Sequence, residues 1–324
     1  MNQKTVLPDE LLELNEAPDF SVERLGPERA YNLVLLIRSG RRSYVYKAFI
    51  NRRSILSRLR FALMGNMGMT NEIQVYRSAQ EASFEHFRLP SLIKTDGRSY
   101  LAIELVHGDH LKSGEEVDAR AERLAAALYE FQKHRFDVDH QHFLFRFRNN
   151  SGMILDLFSQ AYRLARKGVE KKLIARALAI GIRSAMRSGR SEMQVACHND
   201  LHRRNILFGA DDEIYVIDLA KVAYTDKWLL RDIIDYSYGY NGGRYLHDGL
   251  FKSYLKVVSS KDRMLDGISV NDQLRSLMMK KLMFTINYSL DKGKDPSRAL
   301  AFLQHTLCDD AGYEQWFTSV TEDD

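Results

Sequence analysis

The sequence predicts an α+β chain in two unequal parts, a small antiparallel sheet followed by a larger, mainly helical region. Three observations carry this. Strand-like runs crowd the first hundred residues, an apolar run from Ser99 loses its pattern at Gly108, and from Glu115 onward apolar residues recur at helical spacing. The division is placed after Glu104, giving 1–104 and 105–324.

Phe20–Leu25, Tyr31–Ile37 and Tyr44–Ile50 read as strands, and Ser39-Gly40-Arg41-Arg42 reads as a hairpin turn between the last two. A helix follows through Asn71-Glu72-Ile73-Gln74-Val75-Tyr76. The run from Ser99 reads as an edge strand leading into a hinge between the two parts. Beyond it, Leu124, Leu128 and Phe131 make one apolar stripe. Ile154, Leu157, Phe158 and Ala161 make a second, and Leu173, Ile174, Ala177 and Leu178 a third; all three read as core.

Composition narrows the function classes. The chain has 324 residues, 45% hydrophobic and 28% charged, ordinary proportions for a globular protein. Its two cysteines, Cys197 and Cys308, build neither a disulfide framework nor a Cys-x-x-Cys zinc site, which fits a reducing, cytoplasmic compartment. The start, Met1-Asn2-Gln3-Lys4 running into Glu10, Glu13 and Glu16, lacks the apolar core of a signal peptide. No apolar run approaches the length of a membrane span, so the chain is expected to be soluble or at most peripheral to a membrane. A net charge of +4 is too slight to argue for nucleic acid.

The chemistry concentrates in Cys197-His198-Asn199-Asp200-Leu201-His202-Arg203-Arg204-Asn205-Ile206-Leu207. His-x-Asp-Leu-x-x-x-Asn is the spacing of a kinase catalytic loop. Asp200 is placed to accept the proton of an attacking hydroxyl, and Asn205 to hold a metal on the phosphate side. A turn at Gly209-Ala210-Asp211-Asp212 leads into a second strand, Tyr215-Val216-Ile217, which ends on Asp218, a second candidate metal ligand. Oxygen-only ligands beside phosphates suit Mg2+. Upstream, Lys47 lies on the third strand and Glu72 on the following helix, in the order of the lysine and glutamate that orient nucleotide phosphates; Glu81 and Glu85 are rival glutamates. The turn Leu25-Gly26-Pro27-Glu28-Arg29-Ala30 holds one glycine where a glycine-rich loop would stand.

These residues resemble the aminoglycoside phosphotransferase and choline kinase group, small-molecule kinases of the protein-kinase-like fold. Members insert helices before the catalytic loop, and about ninety residues separate Glu104 from His198 here. The resemblance implies ATP and Mg2+, with Asp200, Asn205 and His202 as catalytic residues and Arg203 as a second source of positive charge. Lys47, Glu72, Glu104 and Val106 are the implied nucleotide contacts, and Asn205 and Asp218 the implied metal ligands. In Trp228-Leu229-Leu230-Arg231-Asp232, Asp232 is the implied anchor of the catalytic loop. It follows Asp218 too closely to leave room for a phosphorylatable activation segment, and no Ala-Pro-Glu occurs.

The acceptor is expected to be a hydroxyl of a small molecule or sugar. Arg163, Arg166, Lys167, Lys171, Lys172, Arg176, Arg183, Arg187 and Arg190 crowd the inserted helices, and Arg52, Arg53, Arg58 and Arg60 alternate with apolar residues ahead of Glu72. Two solvated helix faces explain these stretches simply; an anionic substrate or anionic membrane surface is the sharper reading. The second stretch is also similar to that of lipopolysaccharide core-sugar kinases, which work at the inner membrane. A nucleotide-binding pseudokinase is the non-enzymatic alternative, given the single glycine at Gly26 and Leu219-Ala220 after Asp218.

Overall fold

A computed structural model describes residues 19–25, 32–40, 42–49, 67–138, 152–238, 245–261 and 263–322. The turn at Gly26 and the arginines at 52, 53, 58 and 60 lie outside the described residues.

Strands β1 (Ser21–Leu25), β2 (Asn32–Ser39), β3 (Arg42–Phe49), β4 (Leu92–Thr95) and β5 (Tyr100–Glu104) form an antiparallel sheet in the order β1-β2-β3-β5-β4. The β2–β3 hairpin turns where the sequence places it. Gly40 adopts φ 60°, a left-handed conformation that glycine reaches without a Cβ clash, and its N–H donates to Asp19 at 2.9 Å.

The strand read as an edge, β5, lies inside the sheet. Tyr100 and Ala102 join a cluster with Leu35, Ile37 and Tyr46 on one face, while Leu101 and Ile103 join the main core on the other. An unbroken apolar run is the mark of burial on both faces, so the run itself carried that signal. The short strand β4, which the sequence reading passed over, takes the edge position.

Helix α1 (Met67–Ala79) packs Ile73 and Tyr76 into the main core. After β5 come α2 (Gly114–Asp118), α3 (Ala121–Lys133), α4 (Gly152–Arg166) and α5 (Lys171–Arg187). Leu124, Leu128 and Phe131 on α3 are buried as their spacing predicts. On α4, Leu157 and Ala161 are buried, Ile154 is half-buried, and Phe158 is 49% exposed, against the expectation for that stripe. On α5, Ile174 and Ala177 are buried and Leu173 and Leu178 half-buried. The basic residues of α4 and α5 stand mainly on outer faces. Arg166, Lys171, Lys172, Arg176, Arg183 and Arg187 are exposed, and Arg163 and Lys167 both pair with Asp291.

Two pairs of short strands follow. Strands β6 (Val195–Cys197) and β9 (Ala223–Thr225) pair antiparallel, as do β7 (Ile206–Phe208) and β8 (Ile214–Val216). Then come α6 (Arg231–Ser237), α7 (Asp248–Lys261), α8 (Val270–Asp291), α9 (Ser297–Phe302) and α10 (Asp310–Thr321). No helix among the described residues is long and apolar enough to cross a membrane.

Candidate active site

The catalytic loop leaves β6 at Cys197 and is held from beneath. Asp232, buried on α6, accepts the His198 N–H at 2.6 Å on one carboxylate oxygen and the Asn199 N–H at 3.0 Å on the other. Burial pushes this carboxyl up, while the two N–H donors and His198 pull it back. Asn199 sits at φ 63°, a conformation that asparagine adopts more readily than most residues. The buried His198 ring donates from Nε2 to the Ile217 carbonyl at 2.9 Å and packs against Phe131. One histidine thus ties the loop before Asp200 to the strand end before Asp218.

Asp200 follows at the loop's tip, half-buried. Its carbonyl accepts from Asn205 Nδ2 at 2.9 Å, which fixes the Asn205 amide and turns its oxygen the other way. The carboxylate pairs with Lys221 at 2.5 Å. His202 caps the short 3-10 turn Arg203–Asn205, its Nδ1 accepting the Arg204 N–H at 3.2 Å. Burial pulls the His202 pKa below that of a free imidazole, which favours the neutral ring that this bond requires.

Across the cleft, Lys47 Nζ on β3 lies 2.8 Å from Glu72 on α1 and 3.0 Å from Asp218. Burial alone would lower the Lys47 pKa, but Glu72 and then Asp218 outweigh it and hold the ammonium charged. Burial raises Glu72, with Lys47 and the Leu219 amide pulling back. For Asp218, burial is overcome chiefly by Lys47, and the carboxyl is held below its ordinary value. A lysine shared between two carboxylates keeps its proton, and that is the state we assign. Glu81 is exposed beyond the end of α1, and Glu85 pairs with His86 instead.

The Asp218 turn is itself clamped. Asp218 adopts φ 63°, and Asn71 Nδ2, beside Glu72, donates to the Ala220 and Val222 carbonyls at 3.3 and 2.9 Å. Leu219 is fully buried, and a Cβ on Gly68 would lie 3.7 Å from that of Ala220. These contacts explain a leucine and a small alanine after Asp218: one fills core, the other meets α1.

At the hinge, the N–H groups of Glu104 and Leu105 are taken by the Ser91 and Ser43 carbonyls, and the Glu104 carboxylate accepts the Ser91 hydroxyl at 3.0 Å. No bond among the described residues takes up the Val106 N–H. Gly108 then passes so close to β7 that a Cβ there would stand 2.7 Å from the Phe208 carbonyl oxygen, a contact only glycine avoids.

The donor set fits a magnesium ion. Asn205 would offer an amide oxygen and Asp218 a carboxylate, both hard ligands. Among the described residues no group of three or more His, Cys, Asp and Glu side chains is placed to hold a metal ion by itself.

A small antiparallel sheet, a helical remainder and a lysine, glutamate and two aspartates converging between them define a kinase-like class. The chain belongs to the phosphotransferase enzyme family, whose model matches residues 36–229. It is thus a kinase acting on hydroxyl acceptors. Among solved structures it is similar to the streptomycin–ATP ternary complex of APH(2″)-IIa, with 15% identity, 93% of this chain and 97% of that one covered, and a TM-score of 0.54. APH(4)-Ia with ADP and hygromycin B gives 14% identity, 94% and 96% coverage and a TM-score of 0.56. An ethanolamine kinase of Plasmodium vivax gives 14% identity, 93% and 82% coverage and a TM-score of 0.50. At these identities the likeness speaks for the fold. No curated protein sequence matches.

Sequence reasoning missed Lys221, Asn71 and Arg231, whose Nη1 donates to Asn199 Oδ1 at 2.9 Å beside Asp200. Lys221 stands three residues past Asp218 and carries no motif of its own. Only folding brings it to Asp200.

Proposed function

We propose that the chain transfers the γ-phosphoryl group of ATP to a hydroxyl of a small molecule or sugar, with residues 1–104 as nucleotide lobe and 105–324 as helical lobe. What carries the reading is one convergence: Lys47 bonded to both Glu72 and Asp218, with Asp200 and Asn205 on a loop tied to the same strand end. Lys47, steadied by Glu72, orients the α- and β-phosphates, and of the backbone from Glu104 to Val106 it is the Val106 N–H, not taken up by another group among the described residues, that faces the adenine. Asn205 and Asp218 would hold magnesium, which when bound offsets charge on the phosphate oxygens.

Asp200 takes the proton of the acceptor hydroxyl as its oxygen bonds to the γ-phosphorus. The bond from that phosphorus to the β–γ bridging oxygen breaks, and ADP departs with the electron pair. Positive charge near the transferred group comes from Lys221, already paired with Asp200, and from Arg203. The neutral, capping His202 serves by holding the turn that carries Asn205. Asp200→Ala should abolish turnover and leave ATP affinity within a few-fold, as read by calorimetry. Turnover at the wild-type rate would remove Asp200 from this role.

A further inference from the structure

Helices α4 and α5 are joined by residues 167–170 and pack side by side, so closely that a Cβ on Gly181 would stand 3.2 Å from Leu157. Their inner faces fill core, but their outer faces do not read as an ordinary solvated surface. On α4, Leu155, Phe158 and Tyr162 recur at i, i+3 and i+7, one stripe along the helix, and they are 52%, 49% and 64% exposed. On α5, Met186 is 71% exposed. Of the seven large apolar side chains exposed among the described residues, four therefore sit on this one hairpin. Ala165, Ala175 and Ala179 are exposed beside them.

The rest of this surface is positive. Arg166, Lys171, Lys172, Arg176, Arg183 and Arg187 are exposed, and none makes an ion pair among the described residues. Lys172, Arg176, Arg183 and Arg187 fall at i, i+4, i+11 and i+15, a stripe along α5. The nearby carboxylates are largely taken. Asp156 pairs with Lys280, Asp291 with Arg163 and Lys167, and Asp226 with Arg190. Asp310 is held below its ordinary pKa first by Arg275, 2.8 Å away, and then by Arg176 and Arg183. Glu170 adds one exposed carboxylate at the start of α5. Even with Asp310 and Glu170 credited in full, six cations face two acidic groups. A solvated helix face intersperses both signs of charge. This one is apolar and cationic, with Asp156, Ser159 and Glu170 the exceptions.

We propose that the outer face of the α4–α5 hairpin docks on an anionic lipid bilayer. Leu155, Phe158, Tyr162 and Met186 enter the headgroup region, and the lysines and arginines beside them meet the lipid phosphates. A bilayer serves both halves of the surface at once, because it offers negative charge at its face and hydrocarbon just below. Nucleic acid would answer the cations but leave the aliphatic Leu155 and Met186 in water. Long basic side chains reach back to the phosphates while their apolar neighbours sink. Arg166, its guanidinium 5.9 Å over the Tyr162 ring, joins the two halves. The proposal goes beyond the phosphotransferase reading and does not depend on it, since no residue of this face belongs to the catalytic loop, the Lys47 pair or the hinge.

The test is co-sedimentation of the full chain with vesicles of phosphatidylcholine alone and of an equimolar mixture with phosphatidylglycerol. Binding should require phosphatidylglycerol and weaken as added salt screens the charges. Lys172→Gln and Arg183→Gln should each weaken it about fivefold, one cation's share of the attraction to such a surface. Met186→Gln should weaken it about threefold through lost apolar burial. Lys256→Gln, at an exposed position on α7, should change nothing. All these side chains are exposed, and an unchanged melting temperature confirms that folded proteins are being compared. Tyr162→Trp gives a second readout: its emission should shift to the blue on the mixed vesicles and stay put with heparin, a soluble polyanion. Absence of sedimentation with the mixed vesicles, or sedimentation indifferent to the α5 substitutions, overturns the proposal. So does sedimentation without the blue shift, which would mark a site for polyanions in general.

Discussion

Asp232→Asn is nearly isosteric, yet it should be costly. The carboxylate accepts two backbone N–H groups, one on each oxygen, at 2.6 and 3.0 Å, in a site closed to solvent. The amide can offer its oxygen to one N–H only, and must turn its own NH2 toward the other. A hydrogen bond to a charged group contributes about 1.5–3 kcal/mol, a neutral one about 0.5–1.5 kcal/mol, and a stranded buried N–H costs about 1–3 kcal/mol. Relief of the buried charge returns part of this, because burial already pushes the Asp232 carboxyl up. The net loss is about 2–4 kcal/mol. It appears as lower stability in urea if the loop keeps its shape. If the loop yields instead, the loss falls on kcat/KM, by about 30- to 900-fold at 1.36 kcal/mol per decade. Denaturation and steady-state kinetics on the same preparation separate the two. A variant matching wild type in both would show that Asp232 does not hold the loop.

Chelation by EDTA should stop turnover, and Asp218→Asn should raise the magnesium concentration needed to restore it by about tenfold or more, the loss of one charged ligand; an unchanged magnesium titration would place the metal elsewhere. Asp96 is held at about 2 against an ordinary 3.8: slight burial opposes ionisation, but the Ser99 hydroxyl and the Arg98, Ser99 and Tyr100 amides outweigh it. Its folded pKa is depressed, so its stabilisation is complete above 3.8 and fades as pH falls toward about 2. Asp96→Asn should therefore lower the urea midpoint at pH 7 by more than at pH 3, and an equal gap at both would contradict this. Gly108→Ala should cost about 1–3 kcal/mol through the clash with the Phe208 carbonyl, measured by thermal melting; a wild-type melting temperature would show the hinge free to shift.

The candidate catalytic loop was legible because its chemistry needs fixed spacings: Asn205 stands five residues after Asp200, and Asp218 ends the next hairpin, eighteen residues after Asp200. Lys47 and Glu72 were legible by order alone, and Asp232 by its place after a short segment. The Asp200–Lys221 pair was not: it joins the catalytic loop to the short turn after Asp218, 21 residues on, and no local pattern marks which lysine turns toward a site. Phe158 misled for a related reason: helical spacing finds a stripe but cannot say where it stops. Helix α8 was obscure because Gln273, Ser276 and Asn287 are buried among its apolar residues, erasing the contrast between faces.

The chain that follows Asp218 runs straight into β9, and β9 is hydrogen-bonded to β6, the strand that delivers the catalytic loop. In between, Asn71 grips the Ala220 and Val222 carbonyls from α1. The stretch from Asp218 to β9 is gripped along its length, so it offers no segment whose ordering and disordering could switch Asp218 in and out of place.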